Sequence, residues 1–389
     1  MTSGCLGPGA VRYTRMRYNE AVRLTNDQQL LMNIVRLRYA DSPMFIDLPN
    51  IISQFELAAG GSDPGRRGSQ TAFGIAGLTG RDTPTLTYHP REGREIAKAL
   101  LNPISADLFS VVNAGATVEQ LFLLTINDLN DVPNAPRATT LTPTLPDDNS
   151  EFLRGIRILS SLRDREATEL VIGTSDDPDN LSDPVARSSI DGSDLIEAAR
   201  AGYVFRASGN DQLALRRRER ELFLRIRQPY VHSPEMEELA RIFKLTPGLS
   251  RYRIKSELTE EAGEIHASPL GSDTIFLNLR SILQIMTFLS KGVCIPEEHV
   301  RTGVAPTIPG PDGRPFDWTR VTAGQFFVRA QKHRPASAEV AVLYRGYWFY
   351  IAPDDVNSRA MLSIIEVLFA LQESGERSLG PLLTLPVGG

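Results

Sequence analysis

The feature that most constrains this chain is a change of hydrophobic period near Ser42-Pro43. Before it, Leu30, Ile34 and Leu37 form one apolar stripe with Leu31 and Val35 beside it, which is the 3.6-residue period of a helix. Thr25 and Gln28 have the spacing of a capping box, which predicts a helix start at that point. Ser42-Pro43 should end the helix, because the ring disfavours helical geometry in the residue before it. After it, Phe55, Leu57 and Ala59 alternate with Gln54, Glu56 and Ala58, the two-residue period of a strand. A helix followed directly by turn-punctuated strands excludes a pure bundle and a doubly wound sheet. It predicts an α+β fold built from helices and antiparallel β-meanders.

The same signals recur down the chain. Met44 to His89 reads as a meander, with turns at Gly60–Gly68 and Arg81–Pro84 and a third strand at Thr85–Tyr88. Within it, Ser69–Leu78 is small and almost uncharged, and Phe73 and Ile75 are candidate binding or assembly residues. Helices are expected at 92–101, 105–113 and 117–129. The Pro- and Thr-rich stretch over 131–150 reads as a linker. Ser233 should cap a helix from Pro234, and Ile275–Leu289 reads as one apolar helix. Arg345-Gly346 is a two-residue connection between strands at 339–344 and 347–351, and a long helix follows from Ser358. These breaks divide the chain into a tether at 1–17, a helix–meander–helix unit at 18–130, the linker, and α+β units at 151–268 and 269–389. At 389 residues, two or three domains are expected.

Composition narrows function. Net charge is −5, which argues against an electrostatic nucleic-acid binder. Five lysines stand against 37 arginines, but the arginines are spread along the whole chain. The basic run Arg216, Arg217, Arg218 and Arg220 is broken by Glu219 and reads as a charged strand edge, or as a site for anionic headgroups. The five histidines are dispersed, with no HExxH, HxH or CxxC, so neither a metal nor another cofactor is expected. No GxSxG, Walker A or Rossmann loop occurs, and no nucleophile–base signature points to an enzyme.

Two cysteines cannot form a disulfide framework. Cys294 follows an apolar stretch and reads as a small buried thiol. Cys5 sits in Ser3-Gly4-Cys5, which resembles the end of a bacterial lipobox. The charged and apolar region that should precede a lipobox does not stand before Ser3, so the expectation includes an upstream start or a trimmed N-terminus. Lipidation at Cys5, with Gly7-Pro8-Gly9 as a flexible tether, is the expected membrane attachment. Tyr347-Trp348-Phe349-Tyr350 concentrates aromatics on a strand, Tyr347 and Phe349 on one face, Trp348 and Tyr350 on the other. Both faces could be core, or one could be a platform for a sugar or a partner.

Three stretches carry a family resemblance: Tyr18–Ala21 with Leu30–Tyr39, Pro315–Trp318, and Tyr344–Ile351. They resemble a group of uncharacterised lipoproteins of Gram-negative and related bacteria, at both ends of the chain and only thinly between 131 and 193. The resemblance implies a lipid-anchored protein of the outer membrane or periplasm and transfers no catalytic residues. The expected role is a structural or interaction subunit of an envelope assembly. The alternative is a glycan- or peptide-binding module using the aromatic strand. A homo-oligomer is expected, because a meander so poor in large side chains buries little area alone and has open edges.

Overall fold

No helix breaker stands between Gly9 and Arg38, and the first helix uses that whole length. The computed structural model describes residues 6–59, 71–75, 78–90, 94–104, 117–140, 142, 144–174, 182–208, 211–217, 220–256, 271–310 and 312–374. Its first helix, α1, runs Leu6–Arg38, about 50 Å at 1.5 Å per residue. Thr25 is therefore not a cap: its hydroxyl donates back to the carbonyls of Ala21 and Val22, both at 2.9 Å. Gly7-Pro8-Gly9 is not a flexible tether either. Pro8 lies in the first turn, where its missing N–H has no intrahelical partner to lose. The helix ends before Ser42-Pro43 because Ala40 turns left-handed at φ 59°. Asp41 N–H then reaches the Arg36 carbonyl and Ala40 N–H reaches that of Leu37, the pairing of a Schellman motif.

Strands β1 (Ile46–Ala59), β3 (Leu78–Pro90) and β2 (Thr71–Ile75) form an antiparallel sheet in the order β1-β3-β2. Arg81–Pro84 is not a turn; β3 runs straight through it, with Gln54 opposite Thr83 and Ser53 opposite Pro84. Pro84 is tolerated because it lies past the end of β2, where β3 has one neighbour. The register slips between Asp47 and Asn50, at Pro49. Among the described residues, no element outside this sheet packs extensively on it. It is an arm about 45 Å long, at ~3.3 Å per residue.

The body is a six-stranded sheet with helices around it. Its order is β5 (Val132–Pro133), β4 (Ile126–Leu129), β12 (Thr274–Leu279), β11 (Arg251–Ser256), β10 (Arg220–Ile226) and β6 (Thr168–Thr174). Only β11 and β12 run parallel. This one sheet takes strands from residues on both sides of 131–150 and of 268/269. The 131–150 stretch is itself packed: Asn130 and Asp131, both at positive φ, turn β4 into β5, and Asn134, Ala135 and Ala138 have no exposed surface. Short polar side chains suit that left-handed turn.

Ile275–Leu289 is not one helix. It is β12 followed by α7 (Ile282–Ser290), after helices α2 (Arg94–Leu101), α3 (Val118–Thr125), α4 (Ser150–Asp164), α5 (Gly192–Arg200) and α6 (Pro234–Ile242, capped by Ser233). Ser281 and Gln284 make a reciprocal capping box that starts α7. Ile282, Ile285, Met286, Phe288 and Leu289 are completely buried, with α1, α2, α3 and α9 (Val356–Ser374) around them. Likewise 117–129 is α3 then β4. After α8 (Glu297–Arg301), strands β13 (Arg329–Gln331), β15 (Tyr347–Ile351) and β14 (Val340–Tyr344) form a third sheet. A small module, β7 (Val185–Ala186), β8 (Tyr203–Ala207) and β9 (Gln212–Arg217) with α5, is inserted between β6 and β10. The elements observed are those of an α+β fold.

Candidate functional site

The hairpin β14–β15 turns at Arg345 (φ 47°) and Gly346 (φ 82°), the left-handed pair that a two-residue turn requires. Its pleat separates two surfaces. Phe349 and Ile351 point inward and are completely buried, with Val340 and Val342 beside them. Phe349 meets the Tyr39 ring edge-on at 6.0 Å, and Tyr39 also contacts the rings of His299 (5.6 Å) and Tyr344 (5.4 Å). The Tyr39 hydroxyl shares a 2.7 Å hydrogen bond with Nδ1 of His299.

Around this buried cluster runs a polar seam. Tyr347 OH donates to Glu298 Oε2 at 2.8 Å, Tyr344 OH donates to Asp41, and Arg345 pairs with the same carboxylate at 2.8 Å. The hydrogen bonds from Tyr344 and Arg345 hold the Asp41 carboxyl below its usual range, and that from Tyr347 does the same for Glu298. Burial pushes the Tyr39 phenol upward, so it stays neutral. These bonds tie α1, α8 and the hairpin together.

The opposite face is open. Trp348 lies between Leu343 of β14 and Gln331 of β13, and Tyr350 between Ala341 and Arg329. Leu343 is 53% exposed and Trp348 and Tyr350 are half-buried. The Arg334 guanidinium stands 5.5 Å from the Trp348 ring centroid, and Tyr350 OH donates to Gln331 Oε1 at 3.1 Å. A partly exposed aromatic surface with a guanidinium over one ring can take part in stacking with a sugar ring or an aromatic side chain.

A second apolar surface belongs to the inserted module. A groove of about 400 Å³ lies between α5 and the β8–β9 pair, lined in part by Ile190, Ala198, Tyr203 and Phe205. Leu195 and Ile196 of α5 are exposed beside it. Asp191 and Asp194 form a capping box that starts this helix.

The other expected site residues are placed less fully. Phe73 lies opposite Gly80 and Ile75 opposite Leu78 in the arm. Cys5 lies outside the described residues, as does the helix expected at 105–113. Cys294 is exposed rather than buried, because it follows α7 into an edge segment bridged to Val328. Among the described residues, no three His, Cys, Asp or Glu side chains converge as a metal site. No described helix is long and apolar enough to cross a membrane.

Asp27 and Glu366 are a carboxyl pair that sequence spacing does not reveal. Asp27 is buried on α1 and ion-paired to Arg23 at 2.7 Å, and Glu366 faces it from α9. Burial first, then its bond to Asp27, pushes Glu366 up to about 8. A folded-state value above the unfolded 4.5 favours folding fully below pH 4.5. That contribution is lost as pH rises through about 8. Discounted for partial exposure, the loss is roughly 2 kcal/mol. Thermal melts from pH 6 to 9 should show wild type weakening while Glu366→Gln, which keeps a neutral hydrogen-bonding group, weakens less. Parallel pH profiles for the two proteins would contradict this assignment.

No family model matches the chain, and no curated protein or solved structure matches it.

Proposed function

We propose that this protein is a non-enzymatic structural or interaction subunit of a bacterial cell-envelope assembly, which associates with further copies of itself through the β1–β3 arm. The observation that carries the proposal is the arm: strands of 14 and 13 residues on which, among the described residues, no element outside their own sheet packs extensively. Strands in globular proteins usually stop well short of that length, and two open edges invite another chain. Pairing between copies would satisfy the backbone groups along both edges, and closure into a ring would leave none open.

The first half of α1 supports the same reading. From Arg15 to Asn26 its residues are exposed or only partly buried, and Met16 is 70% exposed, while Asp27 onward enters the core. A helix that leaves the body in this way serves as a stalk. With lipid on Cys5 it would hold the body away from the outer membrane, as Ser3-Gly4-Cys5 and the family resemblance suggest.

Ile52 lies opposite Thr85 in the arm, so residues 53–84 can be replaced by an Asn-Gly turn. The shortened protein should keep its melting transition, and light scattering should show it as a single chain where wild type is a multiple of 42.9 kDa. Wild type that scatters as a single chain at micromolar concentration, or an unchanged multiple after shortening, would overturn the proposal. A second reading, an envelope glycan- or peptide-binding module, is favoured by the Trp348 and Tyr350 face with Arg334 at its edge.

A further inference from the structure

Two cations that neither docking surface uses are buried in the body, near enough for the Arg38 charge to act on Lys291. Arg38 is the last residue of α1 and Lys291 follows α7 directly; they are 6% and 4% exposed. Among the described residues, neither has a carboxylate partner. Arg38 Nη1 donates to the Pro306 carbonyl at 3.0 Å, but its Nε is buried with no acceptor. Lys291 Nζ has only the Thr140 carbonyl at 3.4 Å and the face of Trp318 at 5.2 Å. Burial, with the nearby Arg38 charge, pushes Lys291 down to about 8.

Arg280 shows what a purely structural buried cation looks like in this chain. Its guanidinium reaches four oxygens and stacks on Phe288 at 4.2 Å. Arg38 and Lys291 have two carbonyls for two charges, and uncompensated buried charge is costly. Their complement is an anion rich in acceptors. A guanidinium fork beside an ammonium suits the tetrahedral oxygens of phosphate. Pro306 belongs to the loop 302–317, much of which is exposed, and the exposed Cys294 thiol is near enough to Arg38 for the guanidinium to favour its ionised form, although burial pushes the thiol up overall.

We propose that Arg38 and Lys291 form a binding site for a phosphate group beneath the loop 302–317, with Cys294 at its rim. The phosphate group can be free or part of a larger molecule such as a headgroup.

The test uses full-length protein carrying Cys5→Ser, so that Cys294 is the one thiol. Inorganic phosphate is titrated at pH 7 against sodium chloride of equal ionic strength, and glycerol 3-phosphate is run in parallel. Phosphate at ~10 times Kd should raise the melting temperature by about 2 °C. It should also slow alkylation of Cys294 by iodoacetamide at least threefold. A stronger response to glycerol 3-phosphate marks a headgroup ligand, and an equal one marks free phosphate. Lys291→Met, which keeps the apolar stem and removes the charge, should abolish both effects. Identical melting and alkylation in phosphate and chloride would overturn the site in wild type alone. A phosphate response that survives in Lys291→Met would overturn it as well.

Discussion

Arg280→Met should cost about 4 kcal/mol of stability, a large share of the 5–15 kcal/mol that holds a typical domain together. Arg280 has no exposed surface. Its Nε donates to Asn127 Oδ1, Nη1 to the carbonyls of Leu123 and Leu124, and Nη2 to that of Asn134. Leu123 and Leu124 lie in the last turn of α3, whose final carbonyls have no intrahelical donor and whose dipole favours a cation. Burial pushes the guanidinium down to about 9, which leaves it charged at neutral pH. Methionine would fill much of the space but remove the Arg280 donors; the Leu123 carbonyl keeps Asn134 Nδ2 at 2.9 Å, while the remaining acceptors lose their Arg280 bonds, at about 1–3 kcal/mol each before relaxation. Urea unfolding followed by circular dichroism measures the loss. A midpoint within experimental error of wild type would contradict this role.

Gly292→Ala should be the most damaging single-methyl addition among the described glycines, at about 2–3 kcal/mol. A Cβ there would stand 2.4 Å from the Phe326 carbonyl oxygen, a backbone atom that cannot swing away. The approach is close because a parallel bridge pairs Val293 with Val328 where the chain leaves α7 for the third sheet: Val328 N–H donates to the Gly292 carbonyl at 3.0 Å and Cys294 N–H to the Val328 carbonyl at 2.9 Å. At Gly155 an added Cβ would come 2.4 Å from the Phe243 ring, which can yield by rotating, so Gly155→Ala should cost less. Paired melts of the two variants check the order, and a larger loss at Gly155 would contradict it.

Local signals were legible where one short segment decides the outcome. Arg345-Gly346 between alternating residues specifies β14 and β15, and Ser233-Pro234 specifies the start of α6. They failed where tertiary burial sets the pattern. β12 lies between β11 and β4, and a strand buried in that way reads as a continuous apolar run. Ile275–Leu289 therefore looked like one helix, although Ser281 and Gln284 carry the capping signature inside it. Thr25 and Gln28 carry the same spacing without starting anything, since the helix is already under way.

The clusters were harder to read. Tyr39 and His299 are 260 positions apart, and nothing local marks either. Arg280 and Lys291 did leave a trace, as charges within or just after the most apolar run of the chain. A lone cation there has to be solvated by the protein itself. Tyr347-Trp348-Phe349-Tyr350 was legible as two faces, and the fold splits it that way, with Phe349 buried and Trp348 partly open.

The claim that the β1–β3 arm joins copies of this chain is tested most directly by amide hydrogen exchange as a function of protein concentration. Ile46–Ala59 and Thr71–Ile75 are the two edge strands of the arm. Half of the amides on each edge point away from β3 and have no partner within the sheet. If copies pair there, these amides should exchange slowly at tens of micromolar protein and lose that protection on dilution, while the body is unchanged. Fast exchange of these outward-facing amides at every concentration, with only the amides bonded between the arm's own strands protected, would contradict the account.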